Sequence, residues 1–267
     1  MPIRKGYADT DQGQLHYRCT SISQPTRLPV VFLHKSASSS RMFEALMTGL
    51  HPQYASCALD TPGFGESFDP PEVSGLDYYA ELFFQALDRL GIERFHLAGH
   101  HTGACIAVLM AAQRPGRVAS LALMGPAILT PEEREGFRQH YSAPFNAPRA
   151  DGQHLQLTWD YLARMGVGDS LELHQREVLD HLRAWKGRTQ AYTAVWDQDL
   201  RDAFMNLACP ILATCAPDDV LWPYFQRLGQ WRPDIECVRT LGANFEPDID
   251  ASGTLAALKG FLERLDP

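Results

Sequence analysis

No apolar run in this chain approaches the roughly 18 residues a membrane-spanning helix needs, and the opening, MPIRKGYADTDQG, carries no apolar core of a secretory signal. The expectation is a cytoplasmic protein without a membrane partner. Basic residues are in deficit: 24 Lys and Arg against 32 Asp and Glu leave a net charge of −8. That argues against nucleic acid as a partner, because phosphate binding needs clustered cations. The cysteines Cys19, Cys57, Cys105, Cys209, Cys215 and Cys237 lack metal-ligand spacing and lie mostly in apolar runs, where a reduced cysteine acts as a small hydrophobe. No histidine pair has the His-Glu-x-x-His spacing of a zinc helix. Neither a metal nor a cofactor is expected.

What is present suits one catalytic domain carrying an insertion. The 267 residues are 45% hydrophobic, enough to bury a large single core. Short apolar runs alternate with longer helical patterns, as in βαβ units with a mostly parallel sheet. YADTDQGQLHYRC reads as a hairpin. LPVVFLH, ASCALD, FHLAGH, SLALMGP, CPILATCAP and ECVRTLG continue the strand series, and runs this continuously apolar fit strands covered on both faces. Residues 76–91 place Tyr79, Leu82, Phe83 and Leu87 on one helical stripe that Gly91 ends. From about Thr130 to Asn206 the rhythm changes. No strand-like run appears there, and His140, Tyr141, His154, Trp159, His174, His181, Trp185, Tyr192 and Trp196 crowd in.

Three motifs carry chemistry. FLHKSASSSRMF (32–43) follows the third strand, LDTPGFGES (59–67) the fourth, and GHHTG (99–103) ends the fifth. In this order they resemble the α/β-hydrolase superfamily over nearly the whole chain. The resemblance implies an α/β fold with a mostly parallel eight-stranded sheet flanked by helices. It makes residues 130–206 a helical cap inserted after the sixth strand, with 1–129 and 207–267 as the core. GHHTG then matches the nucleophile elbow Gly-x-Ser-x-Gly, where a strand turns abruptly into a helix and holds one residue in strained φ/ψ at the sheet's top edge.

At that apex this chain has His101 where the superfamily has serine. The superfamily's acid aligns with Asp219, with Asp218 one residue out of register. Its histidine slot, after the eighth strand, holds Asn244. The Ser-His-Asp mechanism is therefore not available. The two exchanges offset in volume: an imidazole on the elbow reaches into space the usual histidine would fill, and Asn244 vacates part of it. We infer that His101 brings a base to roughly the usual place from the opposite wall. Asp219 would accept its hydrogen bond directly or through the Asn244 amide and fix the tautomer.

The resemblance gives the oxyanion hole to the backbone N–H groups of Lys35 and Thr102. Alternatively, the Lys35 ammonium binds an anionic substrate, or it is an ordinary surface lysine. His34 and Ser36 lie close by in the same loop. Trp159, Tyr192 and Trp196 are candidates for an apolar, aromatic-walled substrate pocket. His100 is expected to pack beneath the elbow, and the serines of SSSRMF to cap the helix that follows. Three functions remain open. His101 and Asp219 form a general base acting on a small, partly apolar carbonyl compound, by hydrolysis or by lyase, isomerase, cyclase or decarboxylase chemistry. His101 itself is a nucleophile. Or the protein is a ligand-binding pseudoenzyme. A monomer or a homodimer fits equally.

Overall fold

The computed structural model describes residues 3–20, 26–71 and 74–265. Its strands are β1 (Arg4–Asp9), β2 (Gln14–Thr20), β3 (Val30–Leu33), β4 (Ser56–Leu59), β5 (Phe95–His100), β6 (Val118–Met124), β7 (Ile211–Cys215) and β8 (Glu236–Arg239). They form one sheet in the order β1-β2-β4-β3-β5-β6-β7-β8. β1 and β2 make the hairpin, and β2 also pairs antiparallel with β4. Every pairing from β4 through β8 is parallel.

Period-two alternation distributes the strand residues between two cores. Val31, Leu33, Leu97, Leu121 and Leu123 face one side, packed under α2 (Leu76–Arg89) and α3 (Thr102–Gln113). Val30, Phe32, Ala98, Ala122 and Met124 face the other, covered by α1 (Glu44–Leu50) and the C-terminal helix Ala251–Leu265. Because both faces are covered, β3, β4, β5 and β7 are buried throughout. The continuous apolar runs in the sequence have this cause. The stripe Tyr79, Leu82, Phe83 and Leu87 is the buried face of α2.

Five helices lie between β6 and β7: α4 (Pro131–Tyr141), α5 (Gln153–Arg164), α6 (Leu171–Arg183), α7 (Trp185–Asp197) and α8 (Arg201–Met205). The first begins with a capping box, Thr130 accepting from Glu133 N–H and Glu133 returning the bond, with Pro131 just inside the helix. Parallel pairing makes the carboxyl ends of β3, β5, β6 and β7 share one edge of the sheet. The connections from β3 and from β5 run to opposite faces, which opens the crevice where α/β folds bind ligands.

Candidate active site

His101 is the apex of the turn from β5 into α3, with φ 47° and ψ −109°. The turn is held open on both sides. His101 N–H donates to Met124 C=O (2.9 Å), and Cys105 N–H donates to His101 C=O (3.0 Å). The flanking glycines are needed for space: a Cβ at Gly99 would run into the Gly103 carbonyl, and one at Gly103 into the Leu33 carbonyl. A bulky residue left at φ 47° signals that the surrounding structure holds it there.

From the apex the imidazole crosses Gly125, just past β6, and reaches the loop after β7. His101 Nε2 lies 2.7 Å from Asp219 Oδ2, and Asp219 Oδ1 accepts from Leu221 N–H (2.7 Å). The carboxylate is almost fully buried, and the imidazole side chain is 12% exposed. The geometry thus pairs Asp219 directly with His101. Asp218 turns away to accept from Ala243 N–H (3.2 Å). Asn244 does not bridge the pair: its Oδ1 accepts from Val220 N–H (3.4 Å), and its Nδ2 donates to Met165 C=O (2.8 Å) at the end of α5.

His100 is fully buried behind the elbow, its ring centroid 4.2 Å from that of His101. Neither of its nitrogens has a partner among the described residues, and burial pushes its pKa well below the usual range, with His101 adding to the effect. Among the described residues, His100, His101 and Asp219 hold metal-capable atoms within 4.8 Å of one another and are the group that could hold a cation. The His101–Asp219 separation of 2.7 Å is that of a hydrogen bond; ligands around a tetrahedral ion at ~2.0 Å stand about 3.3 Å apart.

Lys35 is neither a surface lysine nor a free anion site. Its ammonium is buried, 3.1 Å from Asn244 C=O, 3.2 Å from Glu177 Oε2 and 3.5 Å from the Phe245 ring centroid. Burial lowers its pKa, against the pull of Glu177. Burial alone would raise Glu177, but Lys35 and Arg176 outweigh it and bring the carboxyl down to about 2. The serines expected to cap the next helix serve another purpose. Ser38 Oγ donates to Glu177 (3.0 Å) and Ser39 Oγ to Asp180 (2.9 Å), while the helical turn Ser40–Phe43 has no side-chain cap. Tyr192 Oη adds a bond to Ser36 C=O (2.9 Å). The loop after β3 is therefore clasped by α6 and α7. Glu177 and Asp180 stand 139 and 141 positions along the chain from the serines they bind, so no local signal announced this.

Beside this clasp a cavity lies over the elbow. Lys35, Ser36, His101, Thr102 and Asn244 form its polar end, and Phe137, Tyr141, Tyr161, Tyr192 and Trp196 its aromatic wall. Tyr192 stacks on Trp196, and Phe137 on Tyr141. Arg188 backs the wall from outside, its guanidinium 4.7 Å from the Tyr192 ring centroid. Of the expected pocket residues, Ser36, Tyr192 and Trp196 line the cavity, and His34 and Trp159 do not. The His34 ring is turned into the protein, where Nε2 accepts from Thr61 N–H (3.0 Å) and Nδ1 donates to Lys35 C=O (2.7 Å). Trp159 stacks on His174 at 3.8 Å, between α5 and α6. His181, two turns beyond His174, does reach the cavity; burial takes it down to about 3, so it is neutral there.

A family model for the α/β hydrolase fold matches residues 29–189, more than half of the chain. A protein named as a carbamate hydrolase, RutD, of Yersinia enterocolitica is 26% identical over 83% of this chain and 82% of its own. The crystal structure of E-2-(acetamidomethylene)succinate hydrolase superposes with a TM-score of 0.78 at 22% identity, covering 98% of this chain and all of that one. The enol-lactonase of Burkholderia xenovorans superposes with a TM-score of 0.79 at 21% identity, over 97% and 100%. Motifs, sheet order and these likenesses agree: the chain belongs to the α/β-hydrolase fold family, with a histidine at the apex of its elbow.

Proposed function

We propose that the protein is a cofactor-independent hydrolase of a small, partly apolar carbonyl compound, an ester, thioester or activated C–C bond, in which His101 oriented by Asp219 activates water. The observation that carries this is the 2.7 Å contact between His101 Nε2 and Asp219. An ionised carboxylate only accepts, so Nε2 carries the proton and Nδ1 is left with the lone pair. Nδ1 takes a proton from water as the water attacks the carbonyl carbon, and Asp219 stabilises the imidazolium that forms. The N–H groups of Lys35 and Thr102 receive the developing oxyanion. Collapse of the tetrahedral adduct expels the leaving group, to which the imidazolium returns the proton. Residues 130–206 act as the cap that excludes bulk water from this step.

A general base contributes about 10²–10⁴-fold and a pair of oxyanion donors about 10²–10³-fold, magnitudes suited to an activated carbonyl rather than an ordinary amide. The names of the relatives point to the same class of substrate, since a carbamate and an enol-lactone are small carbonyl compounds. The test is incubation with a fluorophosphonate followed by intact mass, run beside turnover of a panel of activated aryl esters. The expected result is turnover without an adduct, and loss of that turnover in His101→Gln. A stoichiometric adduct on Thr102 or on a serine between Ser36 and Ser40 would overturn the reading.

A further inference from the structure

Cys19 on β2 and Cys57 on β4 are direct partners in the antiparallel pairing. Their hydrogen-bonding phase follows from the end of the ladder. Asp60 N–H donates to His16 C=O (2.9 Å), which makes His16–Asp60 a hydrogen-bonded pair. Alternation then makes Arg18–Ala58 and Thr20–Ser56 hydrogen-bonded pairs, and Tyr17–Leu59 and Cys19–Cys57 non-hydrogen-bonded ones. The far end agrees: Ser56 N–H turns toward Thr20, where Oγ1 accepts it (3.0 Å). Partners of the non-hydrogen-bonded kind have Cα atoms about 4.5 Å apart and side chains on one face. That spacing lies inside the roughly 4.4–6.8 Å range a disulfide spans.

Access is also present. Both cysteines line one surface groove with Tyr17, Leu90 and Ile92; Cys19 is half-buried, and Cys57 is buried beside it. We propose that Cys19 and Cys57 form a cross-strand dithiol site, which a low-molecular-weight disulfide such as oxidised glutathione converts to an intramolecular disulfide. The Cys19 thiolate attacks one glutathione sulfur, giving a mixed disulfide and releasing one reduced glutathione. The Cys57 thiolate then displaces the second glutathione from the Cys19 sulfur. Two protein thiols are oxidised, one glutathione disulfide is reduced, and two protons pass to the departing thiolates. Burial raises the pKa of both thiols, so the exchange accelerates with rising pH.

The bond would tie β2 to β4 next to the machinery that positions the loop after β3. His16 Nδ1 on β2 lies 2.8 Å from Asp60 Oδ2, and Asp60 Oδ1 accepts from Ser40 N–H (2.6 Å). The experiment treats the native chain with oxidised glutathione at mildly alkaline pH, alkylates the remaining thiols, and maps peptides by mass spectrometry. The expected product is a Cys19–Cys57 linked peptide with the mass lowered by two hydrogens. Its apparent Tm should rise by roughly 5 °C in a non-reducing scan. Cys57→Ser, lacking the resolving thiol, should stop at a glutathionyl adduct on Cys19. The proposal is overturned if the native chain also stops at that adduct, if both cysteines remain fully alkylatable, or if the link joins a different pair.

Discussion

Gly125→Ala tests whether the position of the His101 ring, rather than its mere presence, makes the site. Gly125 has φ +52°, and a Cβ built there lies 2.6 Å from His101 Cδ2, 2.7 Å from Nε2 and 3.5 Å from Asp219 Oδ2. Ordinary carbon contacts are about 3.5–4.0 Å, so the ring must retreat by about 1 Å. A hydrogen bond now at 2.7 Å would stretch beyond reach. A displacement of about 1 Å at a reacting group costs on the order of 10²-fold in rate. Alanine in the left-handed region costs about 1–2 kcal/mol of stability besides. Gly152→Ala separates the two effects, because Gly152 has φ +73° and nothing within 4 Å of its added Cβ. Both variants should lose a few degrees of Tm, and only Gly125→Ala should lose kcat on the best aryl ester. It should also lose the downfield Nε2 proton resonance in ¹H NMR. Equal activity in the two variants would refute the claim that the 2.7 Å pairing orients the base.

Three further outcomes follow from the same geometry. Asp219→Asn should lower kcat by about 10²–10⁴-fold, since the amide offers the wrong tautomeric partner, while Asp218→Asn, whose carboxylate accepts from Ala243 N–H, stays within a few-fold; steady-state kinetics on both variants checks the register. His101→Ser combined with Asn244→His should gain weak esterase activity and phosphonate labelling at position 101, neither single change sufficing, because both side chains line one cavity; intact mass reads the labelling. Burial, reinforced by Glu177, raises Asp180 to about 7, so the folded state holds its proton more tightly than the unfolded state and stability falls as pH rises from the usual carboxylate range through 7. Thermal melts at pH 5 and pH 8 should therefore show Asp180→Asn gaining on the native chain at the higher pH; a gap that stays constant would contradict this assignment.

β3, β4, β5 and β7 were legible as apolar runs because burial on both faces removes the need for polar residues in them, and β1 and β2 were legible as a hairpin. The helical stretch between β6 and β7 was legible from the lack of any strand-like run between about Thr130 and Asn206. GHHTG located the apex, because the two glycines are dictated by backbone collisions within a few residues of chain. The resemblance aligned Asp219 with the superfamily's acid, with Asp218 one residue out of register. Which of them faces the imidazole depends on how the loop after β7 bends, and the other is taken up by Ala243 N–H.

Other features had no local signature. Lys35, read from sequence as an open question, proves to be buried against Glu177 of α6, 142 positions away in a different layer. Ser38 and Ser39 follow a capping pattern, yet their hydroxyls are drawn to Glu177 and Asp180, because a buried carboxylate needs donors more than a short helical turn does. Trp159 looks like a wall residue by type, but the face of α5 that carries it packs against His174 rather than the cavity. Sequence determined this protein's strands, its elbow and the identity of the apex residue, since strand burial and a tight turn constrain nearby positions through sterics and solvation. Tertiary structure alone decided that Asp219 meets His101 without the Asn244 amide between them, what holds the loop after β3 and which aromatic rings line the cavity, since each of these depends on distant segments meeting at a few ångströms.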